Sequence, residues 1–287
     1  MTTSVHTGRI DPPAQQGRGS IDIRGVSKLY RRAGSPPVQA LLPVNLSIAP
    51  GEFVSLVGPS GCGKTTLLMM LCDLLDPTTG TVLIDGRPVL AADPTVSIAF
   101  QKPTLLRWKT VLDNVLLPAR IMHKLDEGAR RRADELLQIT GLNAFKDRYP
   151  HELSGGMQQR ASIVRALVTD PNVLLMDEPF AALDEFTRDL LNDELLRLWT
   201  NRRKTVVFVT HNISEAVYLS DRVVIMAPRP GRVLDVIDIP VPRPRRAEMR
   251  DDIEFMQVVR RIRTSLNDSS GPTAGETKQP ALVEEQS

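Results

Sequence analysis

A glycine-rich segment at residues 58–65 constrains the fold of this chain more than any other part of its sequence. It reads GPSGCGKT and fits the pattern G-x-x-x-x-G-K-[ST]. The apolar, β-branched run at 53–58 predicts a buried parallel strand, and the apolar residues from 64 onward predict a buried helix. A loop of this kind, placed between a strand and a helix, is typical of proteins that bind the phosphates of a nucleotide.

The residues of this segment are suited to holding phosphate oxygens. Its glycines let backbone N–H groups turn toward an anion, and the following helix presents its positive N-terminal end to the same anion. Lys64 would place a charge at the β- and γ-phosphates, and the Thr65 hydroxyl can bind Mg²⁺. The alternative is a glycine-rich turn that only starts a helix. We predict that ATP is held by nine consecutive residues: Gly58, Pro59, Ser60, Gly61, Cys62, Gly63, Lys64, Thr65 and Thr66.

Two acidic residues, Asp177 and Glu178, end a second apolar run, VLLMDEP at 173–179. Charges at the end of a buried strand are costly unless a cation or water waits there, and the carboxyl end of a parallel sheet is where ligands bind. Asp177 is therefore expected to hold Mg²⁺, directly or through water, and Glu178 to polarise the attacking water as general base. The alternative is a pair of solvated acids.

Strands and helices alternate along the chain, which predicts an α/β core with a mostly parallel sheet. Further apolar runs at 96–100 and 205–211 predict strands, whereas 104–170 is mostly helical in character. This stretch is too long for one crossover, so we expect an inserted helical lobe. With 287 residues, 41% of them hydrophobic, the chain can bury a sizeable core.

Charge, hydropathy and cysteine content argue against several classes of protein. The formal net charge of +2 gives no argument for a nucleic-acid partner. No apolar run approaches the roughly 18 residues of a membrane span, and the N-terminus lacks the apolar core of a secretory signal, so we expect the protein in the cytoplasm. Cys62 and Cys72 do not suggest a disulfide framework, and we expect both to be reduced.

The segment LSGGMQQR at 153–160 is the most discriminating motif. Ser154 fits the N-cap of a helix, and Gly155 and Gly156 expose backbone donors, which predicts a second anion-binding helix start. The segment resembles the signature motif of ABC ATPases, which other phosphate-loop families lack. The resemblance covers about residues 21–240 and includes further motifs: Tyr30 as an adenine-stacking aromatic, Gln101 as the Q-loop glutamine, Ala181-Ala182-Leu183-Asp184 as the D-loop and His211 as the switch histidine.

The resemblance implies a fold and a division of the chain. The fold would be a P-loop NTPase core of the RecA-like type with a mostly parallel sheet, an antiparallel β subdomain and the inserted helical lobe at about 103–170. The ATPase domain would span 20–240, after a flexible segment at 1–19 and before a C-terminal extension at 241–287 that is partly disordered.

The same resemblance implies that two copies of the chain sandwich two ATP molecules. Ser154, Gly155 and Gly156 of one copy would contact the ATP that the other copy holds. Asp184 would communicate across the interface, and His211 would contact the γ-phosphate.

For three other positions the resemblance assigns roles in one chain. Gln101 would join Glu178 and His211 as a catalytic residue. It would also join Thr65 and Asp177 as a Mg²⁺ ligand. Tyr30 would stack on adenine, although half-buried packing is the alternative.

Two segments resemble the nitrate/sulfonate/taurine uptake group within this family. They are FQKPTLLRWKTVLDNV at 100–115, with Trp108, Thr110, Val111, Asn114 and Val115, and MAPRPGRV at 226–233. Arg107 departs from the group, which commonly has proline there. The likeness implies an importer with two integral membrane permease subunits and an extracytoplasmic solute-binding protein, the ATPase lying at the cytoplasmic face of the membrane. The alternatives are the ATPase of a separate-chain exporter and a soluble ABC ATPase outside transport.

Two surface features have alternative interpretations. Leu105, Leu106 and Trp108 would be exposed in a groove that receives a coupling helix of the permease, or Trp108 would pack into its own lobe. Four arginines predict a solvated linker, with contact to anionic lipid headgroups as the alternative: Arg243, Arg245, Arg246 and Arg250.

Overall fold

The computed structural model describes residues 18–31, 34–90, 93–181, 183–201, 203–228 and 230–268. Most of the segment expected to be flexible at 1–19 therefore lies outside the described residues, as do residues 269–287 of the predicted C-terminal extension and Ala182 of the D-loop segment. Within the described ranges, no helix combines the length and the apolar character that a membrane crossing requires.

The strands form two sheets. Their bounds are β1 Ile21–Tyr30, β2 Val38–Ile48, β3 Phe53–Val57, β4 Thr79–Ile84, β5 Arg87–Pro88, β6 Val96–Ala99, β7 Val173–Asp177, β8 Thr205–Thr210, β9 Arg222–Ala227 and β10 Arg232–Asp238. The smaller sheet is antiparallel and has the order β2-β1-β4-β5. The larger has the order β10-β9-β3-β8-β7-β6 and is parallel except for the β10–β9 pair.

The α-helices pack on the larger sheet or form the lobe between β6 and β7. Their bounds are α1 Lys64–Leu71, α2 Val111–Val115, α3 Leu117–Ile121, α4 Glu127–Ile139, α5 Gly155–Leu167, α6 Glu185–Asn201, α7 Ile213–Leu219 and α8 Ile253–Asp268. Short 3₁₀ turns lie at Asn143–Phe145, Pro150–Glu152 and Ala247–Asp251.

The central strand β3 has all five residues buried, as its apolar, β-branched sequence predicts. Alternate side chains enter two different apolar cores because successive residues of a strand face opposite ways. Phe53 and Val57 belong to the core beneath α5, α6, α7 and α8. Val54 and Leu56 belong to the core that α1 and the antiparallel sheet share. The larger sheet is thus covered on both faces, which fixes the position of the loops at its ends.

The helical lobe follows the amphipathic pattern expected of it. In α4 the predicted stripe of Ala133, Leu136 and Leu137 is buried, and Ala129 joins it. The helix begins after Asp126, whose side chain accepts a hydrogen bond from the Ala129 N–H at 2.7 Å. Residues 111–167 contribute four helices between two neighbouring parallel strands, so the lobe interrupts the sheet connection without changing the strand order.

Three of the four arginines after β10 are buried or ion-paired, so the prediction of a solvated linker is wrong for them, whereas Arg246 is exposed. Arg245 is buried and donates hydrogen bonds to the carbonyls of Val217, Tyr218 and Ser220 at the C-terminal end of α7. Arg243 pairs with Asp221 at 2.8 Å. The physical reason is that the last carbonyls of a helix have no intrahelical donor, and cations near that end are favoured.

The chain then continues onto the domain as α8. Its residues Phe255, Val258 and Ile262 enter the larger apolar core. Arg250 also pairs with Asp189 of α6. The described part of the C-terminal extension, up to residue 268, is therefore packed against the ATPase core.

Candidate active site

Three loops meet at one end of the larger sheet because their strands are parallel neighbours. Val57 at the end of β3 lies opposite Thr210 at the end of β8, and Asp177 at the end of β7 lies opposite Val209. The loop after β3, Glu178 after β7 and His211 after β8 therefore share the carboxyl edge, where α/β sheets bind ligands.

The glycine-rich loop wraps around the Lys64 side chain. The Lys64 ammonium is buried and donates to the carbonyl oxygens of Gly58 at 2.7 Å and Pro59 at 3.2 Å. Gly63 precedes α1 with φ at 93°, a left-handed conformation that glycine adopts without strain. A β-carbon at Gly58 would lie only 2.4 Å from the Met226 carbonyl oxygen, so this strand end leaves no room for a side chain.

Thr65 and Asp177 meet across the site. The Thr65 hydroxyl donates to Asp177 Oδ1 at 3.0 Å. Burial raises the pKa of Asp177 above its ordinary value, against the lowering effect of the Thr65 hydrogen bond. Two oxygen-bearing side chains from distant parts of the sequence thus converge on one point.

Glu178 and His211 form the second pair. The Nδ1 atom of His211 lies 3.1 Å from Glu178 Oε2, and the histidine side chain is 61% exposed. Glu178 adopts a positive φ of 44°, which is uncommon for a residue with a side chain. Its N–H donates to the Val209 carbonyl at 2.9 Å, so the strained turn after β7 is tied to β8.

The signature segment belongs to the helical lobe. Ser154 begins α5 as its N-cap, and its hydroxyl accepts from the Met157 N–H at 3.3 Å. A β-carbon at Gly156 would come within 3.0 Å of Leu183 Cδ2, whereas one at Gly155 would meet nothing within 4 Å. The helix start therefore packs on the segment that follows Glu178, with Gly155 open on its outer side.

The remaining predicted residues are exposed side chains on other elements of the domain. Gln101 is exposed directly after β6. Tyr30 ends β1 and is 45% exposed, with the Lys28 ammonium 5.4 Å from its ring centroid. Asp184 caps α6 by accepting from the Thr187 N–H at 2.9 Å, and this hydrogen bond lowers the pKa of Asp184.

Two residues of this region were not identified from the sequence. A β-carbon at Gly231 would lie 2.4 Å from the Cys62 carbonyl oxygen, so this glycine lets the segment before β10 support the phosphate loop. Gln159 of α5 is buried and donates to the Phe100 carbonyl at 3.1 Å, just before Gln101. The only sequence signal for either residue was its place inside a segment that resembles the family.

The comparisons with known proteins agree with this geometry. The protein family described as ABC transporter matches residues 41–181. The chain is 44% identical over 248 residues to an uncharacterised ABC transporter ATP-binding protein of Methanocaldococcus jannaschii, covering 86% of this chain and 91% of that protein.

The chain belongs to the family of ABC transporter ATP-binding proteins. This ABC ATPase is also 41% identical over 236 residues to the aliphatic sulfonates import ATP-binding protein SsuB of Bacillus cereus, covering 82% of this chain and 92% of that protein. The structure resembles a solved post-hydrolysis dimer of an ATP-binding cassette bound to ADP and phosphate. The TM-score is 0.69 at 35% identity, and the match covers 77% of this chain and 100% of that one.

These findings confirm the predicted P-loop NTPase fold and the predicted activity. The ABC ATPase binds ATP and hydrolyses it. At the carboxyl edge the phosphate loop and Thr65 of α1 lie beside Asp177 and Glu178 at the end of β7 and His211 at the end of β8.

Proposed function

We propose that this ABC ATPase energises the import of a small solute of the nitrate, sulfonate or taurine type. The observation that carries the proposal is the convergence of Thr65 with Asp177 and of Glu178 with His211 beside the phosphate loop, at distances of 3.0 Å and 3.1 Å. The import assignment draws support from the likeness to the sulfonate import ATPase over most of both chains.

The phosphate loop would bind the nucleotide through residues Gly58–Thr66. Lys64 donates to two loop carbonyls, so its ammonium already points into the space that the loop encloses. A phosphate oxygen would offer it a charged acceptor in place of neutral ones, and charge-assisted hydrogen bonds are the stronger kind. Tyr30 lies exposed at a strand end, where its ring face would be available to adenine.

The donor set beside the loop fits Mg²⁺. This cation takes hard oxygen ligands and keeps several waters, so a hydroxyl and a carboxylate that converge on one point suit it. Asp177 is buried, which raises its pKa, and a cation beside it would favour the charged form. Thr65, Asp177 and Gln101 would hold the ion. When bound it would neutralise charge on the phosphate oxygens.

Glu178 would accept a proton from the water that attacks the γ-phosphate. The contact at 3.1 Å to His211 holds the carboxylate in place, and the tie of its N–H to β8 fixes the backbone beneath it. His211 is exposed on the outer side, where it would reach the γ-phosphate. A positioned base of this kind typically contributes about 10²- to 10⁴-fold in rate.

We propose that the working unit contains two copies of this chain. The similar cassette is a dimer bound to ADP and phosphate. In this chain Gly155 faces open space at the start of α5, and Asp184 is exposed at the start of α6. Ser154, Gly155 and Gly156 would contact the ATP of the second copy, and Asp184 would lie at the interface.

The Q-loop region would dock two permease subunits at the cytoplasmic face of the membrane, with a solute-binding protein on the other side. Trp108 is 73% exposed, as docking requires, whereas Leu105 packs partly against the core. Asn114 is fully buried and bonds to Leu106, Lys109 and Thr110, so the turn that carries Trp108 is rigidly held. A rigid exposed aromatic is a suitable anchor for a partner helix.

The site assignment is tested with Glu178→Gln. This change keeps the shape of the side chain and removes its basicity, so hydrolysis is expected to fall by about 10²-fold or more while ATP is still bound. Size-exclusion chromatography with saturating Mg-ATP should then show a stable dimer. A Glu178→Gln protein that stays monomeric would contradict the ATP sandwich.

The import assignment needs a separate experiment. The tagged chain is purified from gently solubilised membranes of its native cell, and the proteins that accompany it are identified. A small multi-span permease encoded beside a solute-binding protein is the expected result. A permease without any binding protein would favour the separate-chain exporter. Recovery away from membranes would contradict transport while leaving the ATPase activity unaffected.

A further inference from the structure

Glu215 is a buried acid one helical turn after His211, and the reaction described above gives it no role. It is 5% exposed and lies on α7, whose N-cap is Asn212. It lines a small cavity together with Glu178, His211 and Arg188. A carboxyl group loses water contacts on burial, and this burial raises the pKa of Glu215, although the charge of Arg188 acts in the opposite direction. Because burying a carboxyl group is costly, Glu215 is expected to have a structural or functional role.

The Thr210 hydroxyl connects Glu215 to the backbone on both sides of His211. It donates to Glu215 Oε2 at 2.5 Å and accepts from the Asn212 N–H at 3.0 Å. A hydroxyl has one proton to donate, so the carboxylate determines how this group is oriented. The Glu215 N–H in turn donates to the Asn212 side chain at 3.1 Å. The Thr210 side chain before His211 and the Asn212 N–H after it are therefore both linked to Glu215.

Arg188 connects the same cavity to the segment before Asp184. It lies on α6, and its Nη2 atom donates to the Leu183 carbonyl at 2.9 Å. Arg188 also lines the cavity that Glu215 lines, and its charge favours the ionised form of that acid. One cation thus contacts the Leu183–Asp184 segment and acts electrostatically on the acid that holds the His211 loop.

We propose that Glu215 is a positioning residue that acts with Arg188 to hold the His211 loop and the Leu183–Asp184 segment in one arrangement. His211, which would face the γ-phosphate, and the Leu183–Asp184 segment, which would face the second copy, would then change position together. The inference rests on the roles proposed above for His211 and Asp184. It adds a physical connection between them within one chain.

The first test separates positioning from catalysis by kinetics. Glu215→Ala removes the acceptor of the Thr210 hydroxyl, and Thr210→Val removes the hydroxyl with little change in shape. Both should lower kcat for ATP by about 10-fold, since a small misplacement of a reacting group has effects of this size. Because neither residue touches the nucleotide, the dissociation constant for ATP should stay within about two-fold. Glu215→Gln keeps an acceptor oxygen and should restore most of kcat, as should Thr210→Ser.

A double-mutant cycle shows whether Glu215 acts through His211. In a His211→Ala background, Glu215→Ala should cost almost nothing further in kcat, because the residue that it positions is gone. In a Glu178→Gln background, Glu215→Ala and Arg188→Ala should each weaken the ATP-dependent dimer by about 10-fold, and together by no more than either alone.

Each outcome decides the matter. Wild-type kcat in both Glu215→Ala and Thr210→Val would overturn the proposal. So would a loss of kcat that is equally large with and without His211, and in that case the roles proposed for Glu178 and His211 would stand. A His211→Ala protein with wild-type kcat would instead overturn the proposed role of His211 together with the connection. Thermal unfolding of every variant, with and without ATP, identifies a protein that has simply lost its fold.

Discussion

Lys64 and Arg245 are both cations buried to the same degree, with exposed fractions of 6%, yet they belong to regions of opposite kinds. Lys64 donates to two carbonyls of a loop that is otherwise rich in glycine. Arg245 donates to carbonyls of Val217, Tyr218, Ser220 and Val241, which belong to the end of a helix and the segment after the last strand. The same burial therefore accompanies a side chain that we propose to bind phosphate in one region and a fixed structural group in the other.

The regions around Lys64 and Arg245 differ in which other hydrogen-bonding partners are available to the cation and to the carbonyls. The carbonyls at the end of α7 have no further turn of helix to supply a donor. Removing Arg245 would therefore leave several of them without a hydrogen bond. The loop around Lys64 is formed by backbone that can offer N–H groups to an anion, so the ammonium has an alternative partner once phosphate enters. Burial alone is thus a poor guide to function, and the partners of the buried group decide it.

The largest effect is expected at Lys64. Lys64→Ala removes the cation that faces the phosphates, and the ATPase rate should fall by about 1,000-fold. The free energy of unfolding without nucleotide should fall less than at Arg245, because only two loop carbonyls lose their donor and one of them belongs to the exposed Pro59. Phosphate release and urea unfolding measure the two quantities. If Lys64→Ala unfolded at a much lower urea concentration than wild type, Lys64 would be a structural cation like Arg245.

The reverse pattern is expected at Arg245. Arg245→Ala leaves several buried carbonyls without donors, so the free energy of unfolding should fall by about 3 kcal/mol. The folded protein should hydrolyse ATP within about three-fold of wild type, since this cap lies at the C-terminal end of α7 and His211 lies before its N-terminal end. Urea unfolding checks the first quantity. Arg246→Ala is the matched control: the neighbouring arginine is exposed, and its loss should cost under about 0.5 kcal/mol.

A smaller effect is expected where the phosphate loop rests on the segment before β10. A β-carbon at Gly231 would meet the Cys62 carbonyl oxygen at 2.4 Å, so Gly231→Ala should displace the loop and weaken ATP binding by about 10-fold, or 1.4 kcal/mol. Titration with a fluorescent ATP analogue measures this. Gly86→Ala, which strains a positive φ of 73° far from any neighbour, should lower stability without changing ATP affinity.

The smallest effect concerns the third buried charge, Glu215. Its folded-state pKa is raised above the ordinary value of 4.5, so its stabilising contribution is fully present below that value and is lost as pH rises through the folded-state pKa. Gln does not titrate, and the other ionisable groups that line the same cavity are Glu178, Arg188 and His211. The free energy of unfolding of Glu215→Gln relative to that of wild type should therefore increase as the pH rises from 4.5 toward the folded-state pKa. Urea unfolding at pH 5 and pH 8 measures it; a constant difference would contradict the prediction.

The fold was largely predictable because its signals are local. The runs at 53–57, 173–177 and 205–210 are apolar and β-branched, and each forms a buried parallel strand. The pattern of α4 fixed its buried face in the same way. The C-terminal arginines were predicted to be a solvated linker because a segment rich in proline and arginine is typical of one. Nothing in the neighbouring sequence indicates that the end of α7 lies beside them.

Part of the candidate site was equally open to prediction. The phosphate loop, Asp177 and Glu178 are each marked by their position at the end of an apolar strand. Gly231 and Glu215 carry no such mark. Gly231 matters because the segment before β10 lies beside the phosphate loop. Glu215 matters because α7 brings it into a cavity with Arg188, which is distant in sequence.

The sequence by itself predicted the phosphate loop, the apolar runs that form the buried strands and the acidic residues at the end of β7. Each of these features depends on residues that are neighbours along the chain. Only the tertiary structure decided which buried charges are held by the carbonyls of a helix end and which by the carbonyls of a loop. It also decided which carboxylates share a cavity with His211. The physical reason is that the cost of burying a charge depends on its partners, and those partners lie on other strands and helices.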